Sequence, residues 1–211
     1  MRISSPMRAA FALALIAPLA ACDPALIGAD RATVTVAGRN VTIVAPPGFC
    51  VDPAATNVSA SGAFVMASDC ALLGSGRPLA EGDAAPVGAV LTASVSAAER
   101  DGPGSLEELQ RFAETAQGRA VLSRSGRGDR VRILAARSRN DVLYLLIEDR
   151  GPQPIAGIEP RFWRAFLDVS GRMTVLSVLG FEGAGVDPTQ GLALIQRFAD
   201  RVQAANRGAG A

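Results

Sequence analysis

The amino-acid sequence predicts an α+β fold, a mostly antiparallel sheet with helices packed on it. Three observations carry this. Apolar residues alternate with period two in stretches that come in pairs about short turns, the pattern of hairpins. Two other stretches repeat with helical period, and each opens on a capping signal. No regular strand–helix–strand alternation occurs, which disfavours a doubly wound parallel sheet.

Taken in order, Thr33 to Ala37 alternates polar and apolar residues, Gly38-Arg39-Asn40 supplies a turn, and Val41 to Val44 returns as the second strand of a hairpin. Pro46-Pro47-Gly48 ends it. Residues 53–62 are small and polar and read as a loop. Ala63 to Ala67 is a short strand that stops near Cys70. Residues 74–86 collect Gly, Pro and acids, a second loop, and Val87 to Val95 resumes strand character. Ser105 followed by Glu108 is a capping box. Leu106, Leu109, Phe112, Ala113 and Ala116 share one face of the helix it starts, and Gly118 fits its C-terminal stop.

Val121-Leu122 reads as a short strand. Val131 to Leu134 and Val142 to Ile147 flank a polar turn, a second hairpin. Gln153 to Pro160 is a proline-bounded loop. Phe162 to Val169 and Met173 to Phe181 form a third hairpin about Ser170-Gly171. In its first strand Phe162, Arg164 and Phe166 fall on one face and Trp163, Ala165 and Leu167 on the other. Both faces carry apolar weight, so this strand belongs at the centre of the sheet, covered on both sides. The last helix opens on Asp187, with Pro188 at its first position and Gln190 as capping partner, and buries Leu192, Ile195, Ala199 and Val202. Residues 207–211 are a frayed tail.

This order resembles the PsbP/Mog1-like sandwich. The likeness is carried by Pro46-Pro47-Gly48-Phe49 after the first strand pair and by residues 162–205, a hairpin closed by a long helix. It could cover about residues 32–205 and implies a binding or assembly role more often than catalysis.

The N-terminus specifies location. Arg2 and Arg8 precede an apolar run from Ala9 to Ala17, which is too short for a bilayer span of about 20 residues. A basic start, an apolar stretch and small residues before a cut site make a bacterial secretory signal. Leu19-Ala20-Ala21-Cys22 resembles the lipobox of bacterial lipoproteins. The resemblance implies cleavage before Cys22, diacylation of its sulfur and a protein held on the periplasmic side of a membrane. Asp23 resembles the residue that retains enteric lipoproteins in the inner membrane. The alternative is an ordinary signal peptide with a chance cysteine. The expected organisation is a signal at 1–21, an acylated N-terminus and tether at 22–31, one globular domain at 32–206, and a tail at 207–211. The membrane is therefore the expected partner through the lipid anchor.

The precursor carries a formal charge of +1, and loss of Arg2 and Arg8 with the signal brings the mature chain near −1. A balance this even gives no footprint for nucleic acid. If Cys22 takes lipid, Cys50 and Cys70 remain as an even pair in an exported chain, where oxidising conditions favour a disulfide. A redox pair is the other reading, but such pairs usually sit as Cys-x-x-Cys.

The sequence has no histidine, and all 21 basic residues are arginine. Ser-His and Ser-Lys nucleophiles and the Walker lysine are thereby excluded, and no zinc or other metal site and no cofactor motif is found. Gly126-Arg127-Gly128 lacks the third glycine of a dinucleotide loop. One catalytic device stays open, a carboxylate pair among Glu148, Asp149, Glu159 and Asp168 that could hydrolyse glycosidic bonds. The competing reading makes these strand-end and turn residues paired with Arg150, Arg161 or Arg164. Trp163 reads as core, with ligand contact as the alternative.

Residues 119–139 hold seven arginines against Asp129 alone. Within them Arg127, Arg130, Arg137 and Arg139 are candidates for contact with anionic lipid or an acidic envelope protein, against the plain reading of solvated turns. The functional expectation is a lipid-anchored, non-enzymatic binding or assembly factor of the cell envelope. The alternatives are a lipid-anchored carboxylate hydrolase and a structural envelope component.

Overall fold

Three two-residue turns set the register of three hairpins. Ala37-Gly38, Asn140-Asp141 and Ser170-Gly171 all have positive φ at both positions, from 45° to 77°. That geometry twists a tight turn in the sense of the strands it joins. The structure, a computed structural model, describes residues 28–74, 88–99, 105–152, 156–184 and 186–208. The signal segment, Cys22, Asp23 and nearly all of the loop expected at 74–86 lie outside the described residues.

Strands β1 (Arg31–Val36) and β2 (Arg39–Val44) pair as a separate two-stranded sheet. β3 (Phe49–Ser59), β4 (Gly62–Asp69), β5 (Ala89–Glu99), β6 (Val131–Arg139), β7 (Val142–Asp149), β8 (Ile158–Val169) and β9 (Arg172–Phe181) form a seven-stranded sheet in the order β3-β4-β5-β9-β8-β7-β6. Every neighbouring pair is antiparallel. One face is covered by the helices α1 (Leu106–Ala113) and α2 (Ala116–Leu122), over a core that includes Leu143, Leu145, Ile147, Phe162 and Leu179. The other face is covered by the β1–β2 pair and the helix α3 (Pro188–Asn206), over Tyr144, Trp163, Ala165, Leu176 and Val178. The expected fold class, antiparallel sheet with packed helices, is what the chain adopts. β8 alternates its two apolar faces between the two cores as the sequence requires.

Several local expectations are corrected. Residues 53–62 do not form one loop, because β3 runs through Ser59. The Asp52 carboxylate accepts the Ala54 N–H at 2.8 Å, and the register slips between Asp52 and Asn57. Such a bulge, on an edge strand, admits Pro53 and a polar sequence. Gly118 does not stop the first helix. α1 ends at Ala113, Thr115 caps α2 by accepting the Gly118 N–H at 3.0 Å, and a Cβ at Gly118 would lie 1.9 Å from the Phe112 carbonyl oxygen. The glycine is needed for two short helices to meet. Val121-Leu122 is therefore helical and not a strand. β8 begins at Ile158, inside the expected loop. In α3, Leu194 and Phe198 are buried, while Leu192 is only partly so.

Polar clasps fix the layers. The Asn206 amide accepts the Thr42 N–H at 2.9 Å and donates to the Thr42 carbonyl at 2.7 Å, joining the end of α3 to β2. Buried Arg172 donates to the carbonyls of Ala97 and Ala37 at 2.6 and 3.2 Å, tying the β1–β2 turn to β5. Cys50 and Cys70 form a disulfide with Cα atoms 4.8 Å apart, closing the open end of the β3–β4 hairpin.

Changing Cys50 and Cys70 together to serine should lower unfolding free energy by about 3 kcal/mol, the value for a loop of this order. Denaturant titration measures it. In periplasm-derived protein both thiols should resist alkylation until reductant is added.

Candidate functional site

The expected carboxylates are consecutive or close in sequence but are set on different faces. Glu148 and Asp149 end β7 and point to opposite sides of the sheet. Glu148, 6% exposed, lies 3.1 Å from Arg150 Nε and 3.6 Å from Arg161 Nε. Asp149 is fully buried on the other face. It accepts the N–H groups of Arg124 and Gly151 at 2.8 and 2.9 Å and the Ser123 hydroxyl at 3.3 Å. Asp168 accepts the Gly171 N–H at 2.9 Å in the β8–β9 turn. Glu159 lines a cleft instead.

That cleft, about 370 Å³, opens where the sheet meets the start of α3. Leu146, Trp163 and Val178 line it, with Glu159, Arg161 and Glu182 among its polar groups. The Asp187 carboxylate, also there, is held by the N–H groups of Thr189 and Gln190 at 2.7 and 3.0 Å. Trp163 is 5% exposed and its Nε1–H donates to the Pro188 carbonyl at 2.7 Å. A Cβ at Gly191 would lie 2.9 Å from its ring, so that glycine lets α3 close on the tryptophan. Trp163 belongs to the core, and it also borders the cleft.

Sequence reasoning missed a buried guanidinium pair. Arg124 and Arg164 stack over the Phe162 ring at 4.5 and 5.1 Å from its centroid. Arg124, whose side chain is 8% exposed, donates to the Glu159 carbonyl at 3.3 Å and lies 4.0 Å from Asp149. Arg164 donates to the Leu122 carbonyl at 3.1 Å and to the Ser177 hydroxyl at 3.3 Å. Burial pushes Arg164 down to about 10; the neighbouring Arg124 adds to this and Asp149 opposes it. Burial also lowers Arg124, against the pull of Asp149. Both remain cationic at neutral pH. The pair joins the segment after α2 to β7 and β8. The signal in the sequence was Arg164 itself, a cation between Phe162 and Phe166 on a strand with no polar face.

The four candidate contact arginines are exposed, but they do not form one patch. Arg127 and Arg130 flank Asp129 at 3.7 and 3.4 Å, before β6. Arg137 and Arg139 lie at the far end of β6, where Arg139 pairs with Asp200 of α3 at 2.8 Å. Arg130 and Arg137 are separated by about 23 Å of extended strand. Among the described residues no cluster of metal-ligating side chains occurs, and no helix is long and apolar enough to cross a membrane.

The chain is thus a three-layer α+β sandwich with an antiparallel sheet in the middle. No family model matches it, and no curated protein sequence does. Among solved structures, the Ran-binding protein Mog1p of Saccharomyces cerevisiae is similar, at 13% identity and a TM-score of 0.45, over 84% of this chain and 94% of that one. A point mutant of Mog1 is similar at 13% identity and a TM-score of 0.41, over 84% of this chain and 93% of that one. Nothing that Mog1p binds is carried over to this chain.

Two predictions follow from the buried polar groups. Asp149→Asn leaves two buried guanidinium groups without their carboxylate and should destabilise by roughly 3–5 kcal/mol, read as a fall in denaturation midpoint. Tyr144 is fully buried and its hydroxyl has no hydrogen-bond partner among the described residues. Burial, then Asp200, push it up to about 12, with Arg139 opposing. Because the folded value exceeds the unfolded one of about 10, Tyr144 favours the folded state fully below that pH and progressively less up to about 12. Tyr144→Phe should therefore flatten the alkaline loss of stability. At neutral pH it should cost nothing, or stabilise by about 1 kcal/mol.

Proposed function

We propose that this protein is a lipid-anchored domain of the bacterial cell envelope that binds a partner or assists assembly and is not an enzyme. Diacylated Cys22 would hold it on the periplasmic side, and Asp23 favours the inner membrane. The Cys50–Cys70 disulfide is compatible with that compartment. The non-catalytic reading rests on one observation, the commitment of three of the four expected carboxylates. A two-carboxylate hydrolase needs an acid and a second carboxyl group facing one substrate. Here Glu148 is spent on Arg150 and Arg161, Asp149 on backbone N–H groups across the sheet, and Asp168 on its own turn. Glu159 alone of the four faces the cleft, where the other carboxylates are Glu182 and Asp187, and Asp187 is held by the N–H groups of Thr189 and Gln190.

Cys22→Ser should abolish incorporation of labelled fatty acid and leave the protein unprocessed or soluble on fractionation. Label entering the serine variant would refute the anchor. Purification from solubilised membranes with Cys22 intact should retain one stoichiometric envelope protein. A glycosidase activity lost in Glu148→Gln and Glu159→Gln would refute the non-catalytic reading.

A further inference from the structure

The seven-stranded sheet has two edges, β3 and β6. Among the described residues β6 pairs only with β7. The Arg137 guanidinium donates to the Ala136 carbonyl at 3.0 Å, so that carbonyl is reached from outside the ladder. Period two turns the backbone of Ser138 to the same side. A bulge sits at Leu134, between the paired residues Ile133 and Ala135, and Leu134 is 45% exposed. Beside it a groove of about 520 Å³ runs between β6 and the α1–α2 helices, lined by Glu114, Arg119 and residues 131–134. Among the described residues Arg132 and Arg137 form no salt bridge, and they share the face of the strand that bears Tyr144 and Glu148 in register.

Resting on the binding role proposed above, we infer that the free edge of β6 docks an extended acidic segment of a partner protein, which adds to the sheet as an eighth strand. Main-chain hydrogen bonds supply affinity in strand addition, and alternate side chains supply choice of partner. Charged edge strands usually keep other chains away. This edge departs from that pattern by exposing a leucine at a groove. Arg132 and Arg137, without salt bridges among the described residues, disfavour basic strands and admit acidic ones. Carboxylates of the added strand meet Arg132 and Arg137, and an apolar residue between them sits by Leu134. A lipid surface fits less well. It is a plane of charge, whereas the cations here lie along a strand, and Arg127, Arg130 and Arg139 already face Asp129 or Asp200.

The test is fluorescence anisotropy on the full-length protein, purified from membranes in detergent. The probes are a labelled peptide alternating glutamate and valine and a matched peptide alternating lysine and valine. The glutamate peptide should bind and be released by salt, and the lysine peptide should not bind. Arg132→Glu with Arg137→Glu should weaken the glutamate peptide by about tenfold, two exposed ion pairs' worth. Ser138→Pro removes one outward N–H and should weaken it similarly without lowering the melting temperature much. If the charge-reversal variant misfolds, Arg132→Gln with Arg137→Gln gives the same comparison. No binding of the glutamate peptide, or equal binding by all variants, overturns the docking strand. So does binding to phosphatidylglycerol liposomes that is lost in the arginine variants and kept in Ser138→Pro, which would make these arginines a lipid contact. Should the peptide fail while an envelope protein still co-purifies with both arginine variants, the binding role stands and the docking edge does not.

Discussion

The structure depends on one constraint, a sheet whose middle cannot face water on either side. β7 has no exposed residue along its whole length, and β8 sends Phe162 into one core and Trp163, Ala165 and Leu167 into the other. Each fully buried large apolar side chain is worth about 1.5–3 kcal/mol of transfer free energy, so neither face can be left open. Three layers follow. α3 with the β1–β2 pair closes one side, and the two short helices close the other. The devices that look incidental serve that closure. Gly191 lets α3 approach the Trp163 ring, Gly118 lets α1 and α2 turn within a few residues, and Asn206 takes over the hydrogen bonds of Thr42 where the helix ends.

The charged groups Glu148, Asp149 and Arg172 are buried near strand ends, and there they are compensated locally. Asp149 is fully buried yet collects backbone N–H groups, a hydroxyl and a guanidinium. Arg124 and Arg164 lose water but gain an aromatic face and carbonyl acceptors. The hydroxyls of Tyr144 and Ser170 are exceptions, buried with no hydrogen-bond partner among the described residues. Removing one member of a buried charged group costs more than the pair contributes when intact, because the survivor stays desolvated. Of the carboxylates that could have suggested catalysis, Glu148, Asp149 and Asp168 are therefore tied to the architecture, and Glu159 faces the cleft.

What the sequence made legible is what rests on period and on local capping. The alternation in residues 162–167 assigned both faces of β8, and the Ser105 and Asp187 caps placed two helix starts. What it did not show depends on neighbours distant in the chain. β3 contains Pro53 and small polar residues and has no strand period. It is a strand because β4 offers it a ladder, and its open side asks nothing of its side chains. Gly118 has the composition of a helix stop, and only the approach of Phe112 shows it to be a contact. The arginine-rich segment was legible as charge. Its division into a buried Arg124, the ion-paired Arg127, Arg130 and Arg139, and Arg132 and Arg137 with no salt bridge among the described residues is set by Asp149, the Phe162 ring, Asp129 and Asp200.

The two edges of the sheet are finished differently, and this difference bears on function. β3 is bulged, carries a proline, and is stapled to β4 near its start by the Cys50–Cys70 disulfide. These features make a poor template for another strand. β6 also has a bulge, but it has neither proline nor staple, and its bulge turns a leucine outward beside a groove. If solubility alone governed both edges, the same blunting would serve at each. Positive charge on β6 discriminates by sign, which proline and bulges cannot do. An edge closed to most chains and open to acidic ones, the role proposed for β6, would be a selective surface, and β6 is the edge strand opposite the disulfide-closed one.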